Sequence, residues 1–304
     1  MNSPIITSDP YLYRSSQVSP NYTFTFPFER SFQYTEAREW MRNHWQTAFY
    51  WVALYLVLVF GGQAYMSKRQ PYKFKSLLIV WNTALATFSI IGTIRILPEM
   101  IHMLRNFGFY HSVCNPSYIE VNRVSGYWTW VFALSKVPEL CDTLFIVFRK
   151  QNLLFLHWYH HITVLLFTWY CYAEHVSQAR WYICMNYVVH SAMYTYYALR
   201  ASGFRVPKPI AMTITTSQIL QMIMGFYVTY YGYDKKSQGY PCAITSGSIK
   251  WGLLMYASYF VLFANFFINS YYRKTKGSTS QRGMSDSSFV NFVHNQKTSP
   301  IKSD

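Results

Sequence analysis

Runs of about 20 mainly apolar residues recur along this chain and restrict its fold more than any other feature, because a helix of that length crosses the hydrocarbon core of a bilayer. Of the 304 residues, 51% are hydrophobic and only 13% are charged, whereas soluble domains carry about 25% charged residues. These values exclude a typical soluble, disordered or coiled-coil protein. They predict an all-α integral membrane protein.

Seven of these runs are predicted to span the membrane. A polar and aromatic segment, residues 1–47, precedes them without a cleavable signal peptide, so the first span is expected to act as an uncleaved anchor. A tail rich in Ser, Lys and Asn, residues 273–304, follows them and is predicted to be disordered. The membrane domain is therefore expected to cover residues 48–272. The predicted spans are residues 48–66, 76–97, 127–148, 153–172, 181–199, 210–232 and 249–272.

The distribution of Lys and Arg predicts the orientation of these spans. Basic residues are more frequent in one set of connections, which the positive-inside rule assigns to the cytosol. The N-terminus is then lumenal and the C-terminus cytosolic. A net charge of +15 also occurs in nucleic-acid-binding proteins, but here the charge flanks apolar runs, and no nucleic-acid partner is expected. The cytosolic set is Lys68, Arg69, Lys73, Lys75, Arg149, Lys150, Arg200, Arg205, Lys208, Arg273, Lys274 and Lys276.

Two features agree with this orientation. An N-glycosylation sequence begins at Asn21, in the segment predicted to be lumenal. Cys114 and Cys242 both fall in predicted lumenal loops, where a disulfide bond can persist. A disulfide between them is predicted, with two unpaired thiols as the alternative.

The third span contains charged side chains, which are costly inside a membrane and indicate function by default. Lys136, Glu139 and Asp142 recur at intervals of three, so they are expected to share one helix face and to neutralise one another in part. Pro138 is expected to kink the helix and to widen a cavity there. The alternative is an ion cluster that only fixes helix packing.

The fourth and fifth spans carry polar clusters of their own. His157, His160 and His161 have the spacing i, i+3 and i+4, which places three imidazoles on one face near the start of the fourth span. Asn186 and His190 share a face of the fifth span, with Met193 and Tyr194 on the next turn. For His190 alone, a structural hydrogen bond between helices is an equal alternative.

These clusters are predicted to lie at one depth. At about 1.5 Å per residue, four residues lie roughly 9–14 Å from the cytosolic ends of their spans. They are His160, His190, Asp142 and Gln218. Gln221 follows Gln218 on the same face, where interhelical hydrogen bonding is the simplest explanation. A polar site open to the cytosol above an apolar chamber is therefore expected, suited to a long apolar chain with a polar head.

Two chemistries fit a cluster of histidines. Membrane di-iron desaturases and hydroxylases use His-x-x-His-His boxes, but they need more histidines than the four found at this depth. An imidazole can also act as nucleophile or base in acyl transfer, with Cys141 as a minor candidate nucleophile. A non-enzymatic receptor or transporter is the third class. Charged residues that line a transport path would continue through the lumenal half, and in this sequence they are expected not to. The remaining histidines are predicted near loops or lumenal ends: His44, His102, His111, His175 and His294.

The order and spacing of four motifs resemble the signature boxes of the fatty acid elongases, over roughly residues 30–275. A single His-x-x-His-His motif is weak evidence, whereas four boxes in order on successive spans are specific to this family. The boxes are Lys136-x-x-Glu139-x-x-Asp142-Thr143, His157-x-x-His160-His161, Asn186-x-x-x-His190-x-x-Met193-Tyr194 and Thr215-x-x-Gln218-x-x-Gln221.

Three further stretches are similar to one branch of the family, which extends saturated and monounsaturated acyl chains of about 12–16 carbons. These stretches are residues 60–62, 155–161 and 198–205. The resemblance also implies the endoplasmic reticulum membrane as location, although residues 301–304 lack the paired lysines of a retrieval signal.

The resemblance implies a reaction and a fold. A long-chain acyl-CoA condenses with malonyl-CoA, which gives 3-oxoacyl-CoA two carbons longer, carbon dioxide and CoA. No cofactor is expected. Six helices would enclose a closed-ended acyl tunnel, with the first span outside. Membrane lipid, the reductase and dehydratase of the elongation cycle and a second copy of the chain are the expected partners.

The resemblance also suggests roles for the site residues. His160 is expected to attack the thioester, with His190 as a direct participant. Orienting or oxyanion-stabilising roles are expected for His157, His161, Asn186 and Gln218, with Tyr194 and Gln221 in support. Lys136, Glu139 and Asp142 would set the electrostatics. Arg149, Lys150 and Arg205 would attract CoA phosphates, or serve only the positive-inside distribution.

Overall fold

A computed structural model describes residues 19–272, and these residues contain helices and no β-strand. The predicted all-α class is therefore confirmed for this part of the chain. The tail predicted over residues 273–304 and the first part of the N-terminal segment lie outside the described residues. The helices are α1 (Pro27–Arg30), α2 (Tyr34–His44), α3 (Ala48–Ser67), α4 (Lys75–Cys114), α5 (Ser117–Glu120), α6 (Arg123–Ser135), α7 (Cys141–Phe148), α8 (Phe155–Ala173), α9 (Ala179–Ser202), α10 (Lys208–Ser237) and α11 (Ser246–Phe267).

Three stretches of the described chain are long and apolar enough to cross a membrane. They are Tyr34–Ser67, Lys75–Cys114 and Ser246–Tyr272. The last includes a π-helical turn, Ile268–Tyr272, which continues α11. Helices of this length and hydropathy identify an integral membrane protein.

The second and third predicted spans differ most from regular helices. As expected, the third is interrupted at Pro138, where a 3₁₀ turn (Pro138–Leu140) separates α6 from α7. The second was predicted over residues 76–97. Instead α4 continues through Pro98 to Cys114, with a break at Gly108, whose φ is 81°. The segment after Pro98 is held by tertiary contacts, which outweigh the local cost of proline.

Six helices form a closed ring, in which each helix packs against the next. α4 packs against α9, α9 against α10, α10 against α11, α11 against α8, α8 against α6, and α6 against α4. α3 lies outside this ring and packs against α7 and α8. The ring therefore surrounds the side chains that its members direct inward.

α4 and α9 pack closely at Gly92. A Cβ atom on Gly92 would lie 2.2 Å from the Tyr187 ring. Tyr187 is buried, and its hydroxyl donates to the backbone oxygen of Trp128 in α6. Glycine at position 92 thus lets one tyrosine join three helices.

Loops at one end of the ring are linked to each other. A disulfide bond joins Cys114, at the end of α4, to Cys242, in the loop before α11. The amide of Ala243 donates to the carbonyl of Cys114, and the amide of Ser177 donates to the carbonyl of Ala243. The connections after α4, α8 and α10 therefore meet at the same end.

The N-terminal segment packs at this end as well. The buried Glu29 carboxylate accepts hydrogen bonds from the Arg95 guanidinium and the Trp128 indole. Tyr34 contacts His175 in the loop after α8. This segment therefore lies on the same side as the disulfide.

A buried ion pair near this end was not expected from the sequence. Arg180 donates to both carboxylate oxygens of Glu99, at 3.1 Å each, and to the hydroxyl of Ser117. Charged residues do continue into this half of the molecule, contrary to the expectation, but Glu99 and Arg180 line neither cavity described below. Their role is to join α4 and α9.

The opposite end brings together α3, α4 and α7. The amide of Tyr72 donates to the carbonyl of Phe148, and Lys150 Nζ donates to the carbonyls of Ser67 and Arg69. α9 ends here at Gly203, whose φ of 103° permits the left-handed turn that closes the helix.

Candidate active site

Polar residues from the four sequence boxes line one cavity of about 1260 Å³, a volume that includes its open mouth. The cavity also receives side chains from α4 and α11. The sequence-predicted residues that line it are Glu139, Asp142, His157, His160, His161, Asn186, His190, Tyr194, Gln218 and Gln221.

Several lining residues were not identified from the sequence. Trp81 and Asn82 enter from α4, and Phe263 and Phe266 enter from α11. Asn82 is a buried polar residue within a predicted span, so the rule that singled out the other boxes could have found it. Trp81 carried no such signal, because tryptophan is common in membrane helices.

Lys136 and Glu139 form a buried ion pair beside the cavity. Lys136 Nζ lies 2.7 and 2.9 Å from the two carboxylate oxygens, and both side chains are nearly inaccessible. The Ser135 hydroxyl donates to the same carboxylate at 2.8 Å. Each charge is therefore paired and hydrogen-bonded, as burial requires.

Glu139 and Asp142 both line this cavity, and the 3₁₀ turn between α6 and α7 keeps residues three apart in line. Asp142 accepts hydrogen bonds from Trp81 Nε1 at 2.5 Å and from the Tyr194 hydroxyl at 2.8 Å. The aspartate therefore joins α7 to α4 and α9.

A hydrogen-bonded chain leads from this ion pair to His190. Lys136 Nζ donates to Asn186 Oδ1 at 3.4 Å, and Asn186 Nδ2 lies 3.1 Å from His190 Nε2. Because an ammonium group can only donate, the amide oxygen faces Lys136 and the amide nitrogen faces His190. His190 Nε2 then accepts, which leaves the ring proton of the neutral imidazole on Nδ1.

Tyr194 holds the other side of His190. The two rings meet edge to face, with centroids 5.3 Å apart. Because the Tyr194 hydroxyl donates a hydrogen bond to Asp142, the position of the tyrosine ring is fixed as well. His190 is therefore oriented from both sides.

The three histidines of α8 are close to one another and to α11. The rings of His157 and His161 lie 4.6 Å apart, and those of His160 and His161 lie 5.5 Å apart. The Tyr259 ring lies 5.0 Å from that of His160. His157 Nε2 and Gln221 Oε1 are buried at the cavity without a hydrogen-bond partner in residues 19–272, so each is available to a ligand.

A second, lower cavity of about 620 Å³, a volume that includes open space, adjoins the first. Both are lined by His160, Asn186, Gln221 and Met222, which therefore form their boundary. Apolar and aromatic side chains of α6, α8, α9 and α11 supply most of the remaining wall. The arrangement places polar groups above and an apolar compartment below.

Other predicted residues lie outside the two cavities. Arg149, Lys150 and Arg205 line neither, and the Lys150 ammonium donates to backbone carbonyls at the end of α3.

The remaining predicted features are placed as follows. Gln218 lines the first cavity, with Nε2 3.3 Å from Met193 Sδ. Asn21 is exposed in irregular chain. No group of three or more His, Cys, Asp or Glu side chains in residues 19–272 is arranged to hold a metal ion.

Comparison with known proteins identifies relatives over most of the chain. The sequence model of the ELO: GNS1/SUR4 family matches residues 40–279. The chain is 49% identical to "Very long chain fatty acid elongase 6" of Drosophila melanogaster, over 93% of this chain and 90% of that protein. It is 45% identical to the human protein of the same name, over 84% and 95%. It is 43% identical to "Putative fatty acid elongase 3" of Caenorhabditis elegans, over 88% and 84%.

Proposed function

This chain belongs to the ELO: GNS1/SUR4 family and is a fatty acid elongase, and we propose that it works through a histidine-linked acyl intermediate in the cavity described above. As a condensing enzyme it joins a long-chain acyl-CoA to malonyl-CoA, releasing carbon dioxide and CoA. The observation that carries the proposed route is the lining of one cavity by His160 and His190, from two different helices.

In the first step His160 attacks the thioester carbon of the acyl-CoA. A C–N bond forms, the C–S bond breaks, and the ring proton of His160 leaves with the CoA sulfur as the thiol. The acyl tail extends into the lower cavity, which begins at His160. The Nδ1 proton assigned to His190 is suited to donate to the thioester oxygen as negative charge develops there.

In the second step malonyl-CoA loses carbon dioxide, and the resulting carbanion attacks the acyl-imidazole. A C–C bond forms, the C–N bond to His160 breaks, and the imidazole regains a proton from solvent. The product is a 3-oxoacyl-CoA two carbons longer. His157 and Gln221, whose buried atoms lack partners in residues 19–272, are suited to orient the incoming groups.

The membrane arrangement belongs to the same proposal. The chain crosses the endoplasmic reticulum membrane seven times, with six spans around an acyl tunnel and the first span outside. The closed sequence of helix neighbours, with α3 peripheral, supports this arrangement. The N-terminus is lumenal and Asn21 is glycosylated, which the disulfide beside the N-terminal segment supports.

Partners and cofactors follow from the reaction. The cycle requires a reductase and a dehydratase, with which the protein associates, and it forms a homodimer. The condensation needs no cofactor. Arg149, Lys150 and Arg205 attract CoA phosphates at the cytosolic side.

Two substitutions in purified protein test the histidine route. His160→Ala and His190→Ala are each expected to abolish condensation, whereas His44→Ala, an exposed histidine outside both cavities, keeps wild-type activity. The measurement is malonyl-CoA-dependent extension of a radiolabelled acyl-CoA. Full activity in both site variants would contradict the proposal.

Metal analysis separates the di-iron alternative. About two irons per chain, removable by a chelator with loss of activity, would favour a desaturase or hydroxylase. A receptor or transporter would consume no malonyl-CoA.

We also propose acyl chains of about 12–16 carbons, saturated or monounsaturated, as substrates. The three stretches at residues 60–62, 155–161 and 198–205 support this range. Incubation with malonyl-CoA and a series of acyl-CoAs, followed by product mass spectrometry, tests it. Equal extension of all chain lengths would contradict it.

A further inference from the structure

Two buried hydroxyl groups in the lower cavity have no hydrogen-bond partner among residues 19–272. They are Thr129 Oγ1, on α6, and the phenolic oxygen of Tyr172, on α8. Both residues line the lower cavity, and they are only 1% and 4% exposed. We call them the deep hydroxyl pair.

Two other tyrosines of the same cavity have hydrogen-bond partners. The Tyr182 hydroxyl is 2.6 Å from Thr229 Oγ1, and the Tyr118 hydroxyl donates to the carbonyl of Val176 at 3.0 Å. The deep hydroxyl pair therefore differs from Tyr182 and Tyr118, whose hydroxyls in the same cavity have protein partners. A buried hydroxyl without a partner is unfavourable, and a ligand that supplies the missing bond recovers that free energy.

The deep hydroxyl pair lies at one level, far from the histidines. The ring of Trp130, the neighbour of Thr129, contacts the Tyr172 ring with centroids 5.2 Å apart. Tyr172 follows His160 by twelve residues on the same helix, which corresponds to about 18 Å at about 1.5 Å per residue. An extended hydrocarbon chain advances about 1.3 Å per carbon, given C–C bonds of about 1.5 Å. A chain attached at His160 would thus reach the pair with about its fourteenth carbon.

We propose that the deep hydroxyl pair forms a polar binding site for the far end of the acyl chain, and that ω-hydroxyacyl-CoAs of about 14 carbons are substrates. This inference rests on the proposed function, because the chain must be loaded at His160 with its tail in the lower cavity. A terminal hydroxyl donates one hydrogen bond and accepts another, so it can satisfy both protein hydroxyls. A terminal methyl group satisfies neither.

The test is competition between two chains of equal length in one reaction. Purified full-length protein receives malonyl-CoA with an equimolar mixture of tetradecanoyl-CoA and 14-hydroxytetradecanoyl-CoA, and mass spectrometry gives the ratio of their extended products. Thr129→Val and Tyr172→Phe each remove one hydroxyl. Each variant is expected to lower the ratio of extended 14-hydroxytetradecanoyl product to extended tetradecanoyl product by about 2- to 10-fold, the range of one net hydrogen bond. Because the ratio is internal, it does not depend on how much variant protein folds.

Two controls isolate the site. Tyr182→Phe removes a hydroxyl that is already paired in the same cavity, and its ratio is expected to equal that of the wild type. The pair decanoyl-CoA and 10-hydroxydecanoyl-CoA is too short to reach Thr129 and Tyr172, so its ratio is expected to be the same in all variants.

The inference is overturned if the 14-carbon ratio is unchanged in either Thr129→Val or Tyr172→Phe, as it would be if a buried water served both hydroxyls. It is also overturned if the wild type extends tetradecanoyl-CoA but not the hydroxylated chain. Failure to extend tetradecanoyl-CoA at all would instead contradict the proposed function.

Discussion

At the scale of single residues, the orientation of His190 depends on one side-chain amide. Asn186 stands between Lys136 and His190, and its two ends bond different partners. We expect Asn186→Leu, which keeps the size but makes no hydrogen bond, to lower kcat by about 10²-fold, the usual contribution of one positioned acid or base. KM for acyl-CoA should change less, because residues other than Asn186 supply most of the wall of the lower cavity that takes the acyl tail.

Steady-state kinetics on purified Asn186→Leu measures both parameters. Asn106→Leu, which alters an exposed asparagine of α4, provides the control and should match the wild type. Wild-type kcat in the Asn186 variant would show that His190 needs no such support.

Residue identity at the site was predictable from the sequence, but the pairing of residues was not. Charged and polar side chains inside apolar spans are rare enough to stand out, which identified His160, His190 and Asp142. The partners of Asp142 are on α4 and α9, and no spacing within one helix can indicate a contact between helices. Trp81 was missed because tryptophan is common in membrane helices and does not stand out in an apolar span.

The contact between α4 and α9 is tested by adding one methyl group. In Gly92→Ala the new Cβ would overlap the Tyr187 ring, which is buried and bonded to Trp128, so the ring cannot move freely. We expect a loss of about 1–3 kcal/mol in the free energy of unfolding. Thermal unfolding in detergent gives the comparison.

Gly61→Ala is the matched variant, because a Cβ at this helical glycine meets no atom within 4 Å. It should be neutral or stabilising by up to about 1 kcal/mol. Equal stability of the two alanine variants would show that the close approach at Gly92 is not needed.

The attachment of α1 to the ring predicts a pH effect. Burial alone would raise the pKa of the Glu29 carboxyl, but hydrogen bonds from Arg95, Trp128 and the amide of Phe26 outweigh it and hold the pKa below 4.5. A carboxyl whose pKa is lower in the folded state makes its full contribution to the stability of the fold at pH values above its unfolded pKa. That contribution is lost as the pH falls below about 4.5 and through the folded pKa.

Thermal unfolding between pH 7 and pH 3 measures this loss. The wild type should lose more stability below pH 4.5 than Glu29→Gln, which has no titrating group at this position. Parallel curves for the two proteins would mean that Glu29 carries no pH-dependent stability.

The sequence predicted the presence of each long helix more reliably than it predicted where the helix begins and ends. Apolar runs are long, so each predicted span coincides with helical chain, and the break at Pro138 follows from its missing backbone donor. Pro98 has the same local chemistry but lies inside α4, next to Glu99, whose ion pair with Arg180 joins α4 to α9. Local rules cannot separate the two prolines, because the difference is tertiary.

The arrangement of the whole molecule depends on contacts that periodicity does not encode. Hydrophobic spacing gives the inward face of a helix, but the order of α4, α9, α10, α11, α8 and α6 around the ring is set by side-chain fit. The disulfide between Cys114 and Cys242 was predictable because topology placed both residues on one side.

That disulfide closes a long loop, with a sequence separation of 128 residues. We expect Cys114→Ser/Cys242→Ser to lose about 2–4 kcal/mol of unfolding free energy. Thermal unfolding with and without reductant gives the measurement. Reductant should destabilise the wild type but not the double variant, and an effect of equal size on both would rule out this bond as its target.

The most direct measurement of the central claim is the mass of the protein after incubation with long-chain acyl-CoA in the absence of malonyl-CoA. We predict a mass increase equal to one acyl group, located by peptide mapping on the segment that contains His160, and its loss when malonyl-CoA is added. No increase should occur in His160→Ala. An unmodified wild-type protein that nevertheless releases 3-oxoacyl-CoA once malonyl-CoA is present would contradict the histidine-linked route.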